Sequence, residues 1–77
     1  MQIEPGTYQH YKGGYYLVTG TATWAGNWDG MEGEAVVIYQ SLEPQETPRI
    51  YVRTLEEFAG LARVGYDFVP RFRRVNI

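Results

Sequence analysis

Two adjacent glycines, Gly13 and Gly14, interrupt a run of β-forming residues, and this break constrains the fold more than any other feature of the chain. Gly6 to Tyr16 reads Gly-Thr-Tyr-Gln-His-Tyr-Lys-Gly-Gly-Tyr-Tyr. It holds four tyrosines, the only histidine and the only lysine within eleven residues. Paired glycines favour a tight turn. The run therefore predicts a β-hairpin whose first strand, Thr7 to Lys12, displays Tyr8, His10 and Lys12 along one face. Aromatic rings with polar tips suit a surface that is partly dry and partly wet. That face is a candidate binding surface.

The chain has 77 residues and no cysteine. It reads as a single small domain over residues 1–77, with no disulfide and no thiolate metal site to staple it. Its core has to come from packing, and seven tyrosines, three phenylalanines and two tryptophans supply much of the area. No apolar run approaches the roughly 20 residues of a membrane helix. The first residues lack a basic and then apolar leader pattern. A soluble, cytoplasmic domain is the expectation, without a membrane partner.

Net charge is −2 but unevenly spread. Residues 1–59 carry three basic and eight acidic side chains; residues 60–77 carry Arg63, Arg71, Arg73 and Arg74 against Asp67. A cationic tail of this size is modest beside the charge of most nucleic-acid-binding domains.

Along the chain, Tyr15 to Trp24 is a strand rich in Tyr, Val and Thr, with Gly20 marking a bulge or bend. Residues 25–33 are a glycine-rich loop. Ala35 to Gln40 is a nearly continuous apolar run, which predicts a central strand. Arg49 to Arg53 alternates, with Ile50 and Val52 on one face and Arg49, Tyr51 and Arg53 on the other. Thr54-Leu55-Glu56-Glu57 has the capping-box form and opens a short helix running to about Ala62. Arg71 to Val75 is a last strand. About five antiparallel strands and one helix near Leu55–Ala62 predict a mainly β fold, a small SH3-like barrel closed into a cylinder. An α+β roll is the alternative.

The order Gly6-x-Tyr8-x-His10-Tyr11-Lys12-Gly13-Gly14-x-Tyr16-x-Val18 resembles the opening of a bacterial family catalogued as domain of unknown function 1653. Further segments fit the same pattern: Glu32-Gly33-Glu34, Val36-Val37-Ile38-Tyr39, Tyr51-Val52-Arg53-Thr54 running into Leu55-Glu56-Glu57-Phe58, and Pro70-Arg71-Phe72. The resemblance implies an SH3-type barrel and brings no known activity. The chain departs from the pattern at Tyr51, where tryptophan is usual, and at Thr54, where proline is usual. Its loop from Trp24 to Gly33 is longer and carries two tryptophans.

Candidate sites follow from residue type and position. His10 is the natural general base, its ordinary pKa being about 6.5, yet no cysteine, serine or second histidine lies near it in sequence, and the only serine, Ser41, sits at a strand end with nothing to support a Ser-His-Asp arrangement. No catalytic residue is assigned, and an enzyme centred on His10 ranks last among the readings. One histidine and no cysteine leave only carboxylates for a metal, and Glu32 with Glu34 lacks calcium-loop spacing. Neither metal nor cofactor is expected. Arg53 and Arg71 either converge with His10 and Lys12 on a phosphate or carboxylate, or pair with Glu34 or Glu57 as structural ties. Trp24 and Trp28 act as a lid over the fold, as a homodimer contact or as a ligand contact.

The reading that combines these features is a non-enzymatic binding module. Its contact surface would be Tyr8, His10, Lys12, Trp24, Trp28, Tyr51, Arg53 and Arg71, and its partner a protein or peptide. The alternative is single-stranded nucleic acid held by Arg71, Arg73, Arg74 and Lys12 with tyrosine stacking.

Overall fold

The computed structural model describes residues 2–76. The strands are β1 (Gly6–His10), β2 (Tyr15–Thr23), β3 (Ala35–Ser41), β4 (Ile50–Thr54), β5 (Leu61–Val64), β6 (Asp67–Pro70) and β7 (Phe72–Arg74). A single helix, α1 (Leu55–Ala59), lies between β4 and β5. Five strands form one antiparallel sheet in the order β4-β3-β2-β1-β7, and β5 pairs with β6 as a separate hairpin. The fold is thus a small, mainly β domain.

Alternation along the strands places Val18, Val37 and Tyr39 on one face of the sheet together with Tyr8. All four are buried, and they pack against Phe58 of α1 and Phe72 of β7. Six rings of this layer meet edge-to-face or stacked: Tyr8 on Phe58 at 5.4 Å between centroids, Tyr39 on Phe58 at 5.5 Å, and Tyr16 on Tyr39 at 5.6 Å are examples. Each such pair contributes about 0.5–1.5 kcal/mol beyond its buried area. The density of edge-to-face contacts explains how a short chain without disulfides holds a core. The register of β2 against β3 shifts between Val18 and Gly20, so the bulge falls next to the glycine that signals it.

The architecture corrects three expectations. First, the five-stranded sheet does not close into a cylinder. β7 has three residues and pairs only with β1, while β4 pairs only with β3, so both are open edges. Second, the helix ends at Ala59 rather than near Ala62. Gly60 leaves the helix in extended geometry, φ −84° and ψ −171°, and a Cβ there would crowd the Glu56 carbonyl oxygen at 3.0 Å. Ala62 is instead buried in β5, and residues expected to finish the helix begin a hairpin that brings the strand count to seven. Third, Lys12 lies in the turn after β1, not on the strand. The His10 N–H donates to the Gly14 carbonyl and the Gly13 N–H returns to the His10 carbonyl, so the turn begins at Tyr11.

Candidate functional site

The loop between β2 and β3 is shaped by its own hydrogen bonds. The Trp24 N–H donates to Glu34 O, and the Gly33 N–H returns to Trp24 O, extending the hairpin past the strand ends. Asp29 and Gly30 both have positive φ, 43° and 75°, and the Met31 N–H donates to Trp28 O at 2.7 Å. This is the backbone of the tight turn that Asp-Gly favours. Trp28 is the first residue of that turn and is 70% exposed. Trp24 is half-buried, and its indole Nε1 is shielded from solvent without a hydrogen-bond partner. A Cβ on Gly26 would come within 3.2 Å of that nitrogen.

Trp24, Trp28 and Met31 wall a cleft of about 560 Å³ at the edge of the sheet. Val36, Val52 and Thr54 line it from one face of β3 and β4; Tyr39, Tyr51 and Arg53 line it from the other, with Glu57 of α1. Four of the residues expected at a contact surface, Trp24, Trp28, Tyr51 and Arg53, meet here.

Arg53 organises the polar end of the cleft. Its Nε donates to the Tyr39 hydroxyl at 2.9 Å, and its Nη1 pairs with the Glu57 carboxylate. The guanidinium also lies 5.8 Å from the Phe72 ring centroid. Partial burial alone would loosen its proton; the Tyr39 hydroxyl and the Glu57 carboxylate outweigh that and shift its pKa upward. Of the two partners weighed for Arg53, Glu57 is the one found. The same contact leaves the capping box half-formed: Thr54 Oγ1 accepts from the Glu57 N–H at 3.1 Å, while the Glu57 side chain turns to Arg53.

The remaining expected residues lie elsewhere. Tyr8 is 7% exposed within the core, and its hydroxyl donates to the Glu4 carbonyl at 2.8 Å. His10 is half-buried between Tyr11, Tyr16 and Phe72, with centroids 4.6, 6.2 and 4.9 Å away. Its Nδ1 accepts from the Lys12 N–H at 3.2 Å. Burial lowers its pKa, and the charges of Arg53, Lys12 and Arg71 lower it further. Lys12 is exposed, with Nζ 5.8 Å from the Tyr11 ring centroid. Arg71 sits where β6 passes to β7. Its backbone bonds to Gly60 O and Tyr11 N, its Nη2 donates to Leu61 O at 3.4 Å, and its Nε has no partner. A second cleft, of about 550 Å³, lies between the β1 turn and the β5–β6 hairpin, with His10, Tyr11, Val69 and Arg73 among its walls.

Met31, Val36, Tyr39, Val52, Thr54 and Glu57 belong to the cleft but were not among the residues expected there. Two signals for them existed. Arg53 directly precedes the Thr54 cap and Glu57 lies in the first turn of α1, so the strand–helix junction brings the two side chains together. Asp29-Gly30 is a turn dipeptide that brings Trp28 and Met31 back towards one another.

The architecture and the cleft define a small, mainly β domain with an aromatic recess at an open sheet edge. The model of DUF1653, described as a protein of unknown function, matches residues 6–74, and the chain belongs to that family. The chain is similar in structure to a crystal structure of a protein belonging to DUF1653 from Bordetella bronchiseptica. The TM-score is 0.79 at 31% identity, covering 96% of this chain and 88% of that one. No curated protein matches the chain. No helix among the described residues is long and apolar enough to cross a membrane.

Proposed function

We propose that this protein is a non-catalytic interaction module whose contact site is the cleft between the tryptophan loop and β4. The carrying observation is the make-up of that cleft: two tryptophans, a methionine and two tyrosines around one arginine–carboxylate pair. Aromatic, methionine and arginine side chains are the residue types enriched at protein contacts. The Asp29-Gly30 turn, closed by the Met31 N–H on Trp28 O, leaves Trp28 70% exposed and therefore available to a partner. The partner that suits such a cleft is an extended protein segment with apolar side chains.

The nucleic-acid alternative draws on arginines that already have partners. Arg73 Nη2 donates to Gln9 Oε1 at 2.9 Å, Arg74 pairs with Glu4 at 2.9 Å, and Arg71 bonds Leu61 O. Phosphate contacts to these groups would compete with those bonds. Salt-dependent retention of single-stranded RNA or DNA is the outcome that favours that alternative.

The test is an NMR titration of the isotope-labelled protein with two octapeptides, one proline-rich and one apolar and strand-forming. Saturable shifts of the Trp24 and Trp28 indole resonances and of the Val52 and Thr54 amides are expected with at least one peptide. Absence of shifts at these four positions with both peptides overturns the reading.

A further inference from the structure

We infer that the partner of the tryptophan cleft is a second copy of this chain, joined through antiparallel pairing of the two β4 edges. This rests on the reading of the cleft as a contact site. Each β4 would continue the sheet of the other, and Ile50 of each copy would enter the cleft of its neighbour.

The first support is the state of the edge. β4 is bonded to β3 on one side only, and no other backbone hydrogen bond reaches residues 50–54 among the described residues. Open edges are normally blunted by proline, lysine or a very short strand. The opposite edge follows that rule, since β7 is three residues long and carries exposed Arg73 and Arg74. β4 has such groups only before the strand or turned inward: Pro48 and Arg49 precede it, and Arg53 bonds to Tyr39. It reads Ile-Tyr-Val-Arg-Thr, with Ile50 71% exposed and Val52 51% exposed on one face.

The second support is self-complementarity. A two-fold axis through Val52 sets Val52 opposite Val52, Ile50 opposite Thr54, and Tyr51 opposite Arg53. Residues opposite one another on antiparallel strands share a face and touch. Apolar groups then meet on one face, and on the other the Tyr51 ring meets a guanidinium, a favourable contact. The neighbouring registers are charged against themselves. An axis through Tyr51 sets Arg53 opposite Arg49, and an axis through Arg53 sets that residue opposite itself. Like-charge pairs of this kind select against those registers.

The third support is the cleft. Thr54, Val52 and Trp24 line it from the end of β4 where Ile50 of the other copy arrives. The exposed isoleucine and the exposed Trp28 cover one another reciprocally, as a symmetric dimer requires.

The test is sedimentation equilibrium between about 1 μM and about 1 mM, the range in which small interfaces associate. The wild type is expected to reach twice the monomer mass within that range. Val52→Lys and Ile50→Asp are expected to weaken the dimer at least tenfold while keeping the wild-type circular dichroism, because both side chains are exposed. Two variants guard against one that does not fold. A wild type that stays monomeric throughout overturns the inference. So does a dimer whose strength is unchanged in Ile50→Asp, Val52→Lys and Trp28→Ala together. A monomeric wild type whose Trp28 indole still shifts with a peptide removes the self-pairing and leaves the reading of the cleft intact.

Discussion

Phe58 stacks on Phe72 with ring centroids 4.1 Å apart and planes 6° from parallel. This contact ties the short helix to the last strand across the inner face of the sheet. Neither element is long enough to hold its place by backbone bonds alone: α1 has five residues and β7 three. Phe58 is 1% exposed and also meets Tyr8 and Tyr39 edge-to-face. Phe58→Ala is expected to cost about 3–5 kcal/mol, the range for truncating a buried phenylalanine. Stability per residue is on the order of 0.05–0.15 kcal/mol, so that loss removes much of what a domain of this size has. A urea titration checks it, the midpoint falling sharply for Phe58→Ala and less for Phe58→Leu.

Thr54 caps α1 in extended geometry, φ −61° and ψ 148°, with its hydroxyl accepting from the Glu57 N–H. Thr54→Ala is expected to cost about 1 kcal/mol. For a domain of this length that lowers the melting temperature by about 4–8 °C. Thr54→Ser, which keeps the acceptor oxygen, is expected to fall much less.

Arg53 and Tyr39 form the polar contact on which the cleft's inner end depends. Tyr39 is 5% exposed. Removing Arg53 takes away the hydroxyl's only side-chain partner among the described residues. Arg53→Ala is expected to cost about 1–3 kcal/mol, the usual penalty for a buried polar group left unpaired. In Tyr39→Phe that penalty disappears, so the double variant should lose less than the sum of the two single losses. A double-mutant cycle measures the difference. Replacing His10 and Arg53 together by alanine is expected to lower the melting temperature by more than Arg53→Ala alone, because His10 packs edge-to-face on Tyr16 and Phe72.

The strands were legible where β-branched and aromatic residues run without interruption. Val36-Val37-Ile38-Tyr39 marks β3, and Tyr15 to Thr23 marks β2 because nothing else suits that composition. The capping role of Thr54 was equally plain. The β5–β6 hairpin was not, because Leu61-Ala62 continues a helical spacing from Leu55 and Phe58. The two-residue link Gly65-Tyr66, with Gly65 at φ 62° and Val64 opposite Asp67, was the competing signal. Gly-X is a hairpin dipeptide, and here it outranked the helical period once Gly60 had stopped the helix. Of the site, Trp24, Trp28, Tyr51 and Arg53 were legible as residue types. That they converge depends on how far the turn at Asp29-Gly30 folds the loop back, which no local pattern states. Tyr8 and His10 share a strand face as expected, but that face turns inward because Phe58 and Phe72, far off in sequence, cover it.

His10 gives a pH dependence whose sign is fixed by its surroundings. Burial, and then Arg53, Lys12 and Arg71, hold its folded-state pKa below the ordinary 6.5. The unfolded chain therefore binds a proton at a pH where the folded one does not. Its contribution to stability is present above about pH 6.5 and is lost as pH falls through the folded pKa. An NMR titration of the ring is expected to give a midpoint below 6.5. The part of the acid destabilisation that belongs to His10 should vanish in His10→Gln.

Both the cleft as a contact site and the pairing of two copies require β4 to be an unpaired edge in the single chain. Amide hydrogen exchange at concentrations too dilute for self-association tests this directly. The outward-pointing alternate amides of Ile50–Thr54 are expected to exchange rapidly, while those bonded to β3 and the amides of Val36–Tyr39 stay protected. Protection along the whole of β4 equal to that of β3, under the same dilution, would contradict the account.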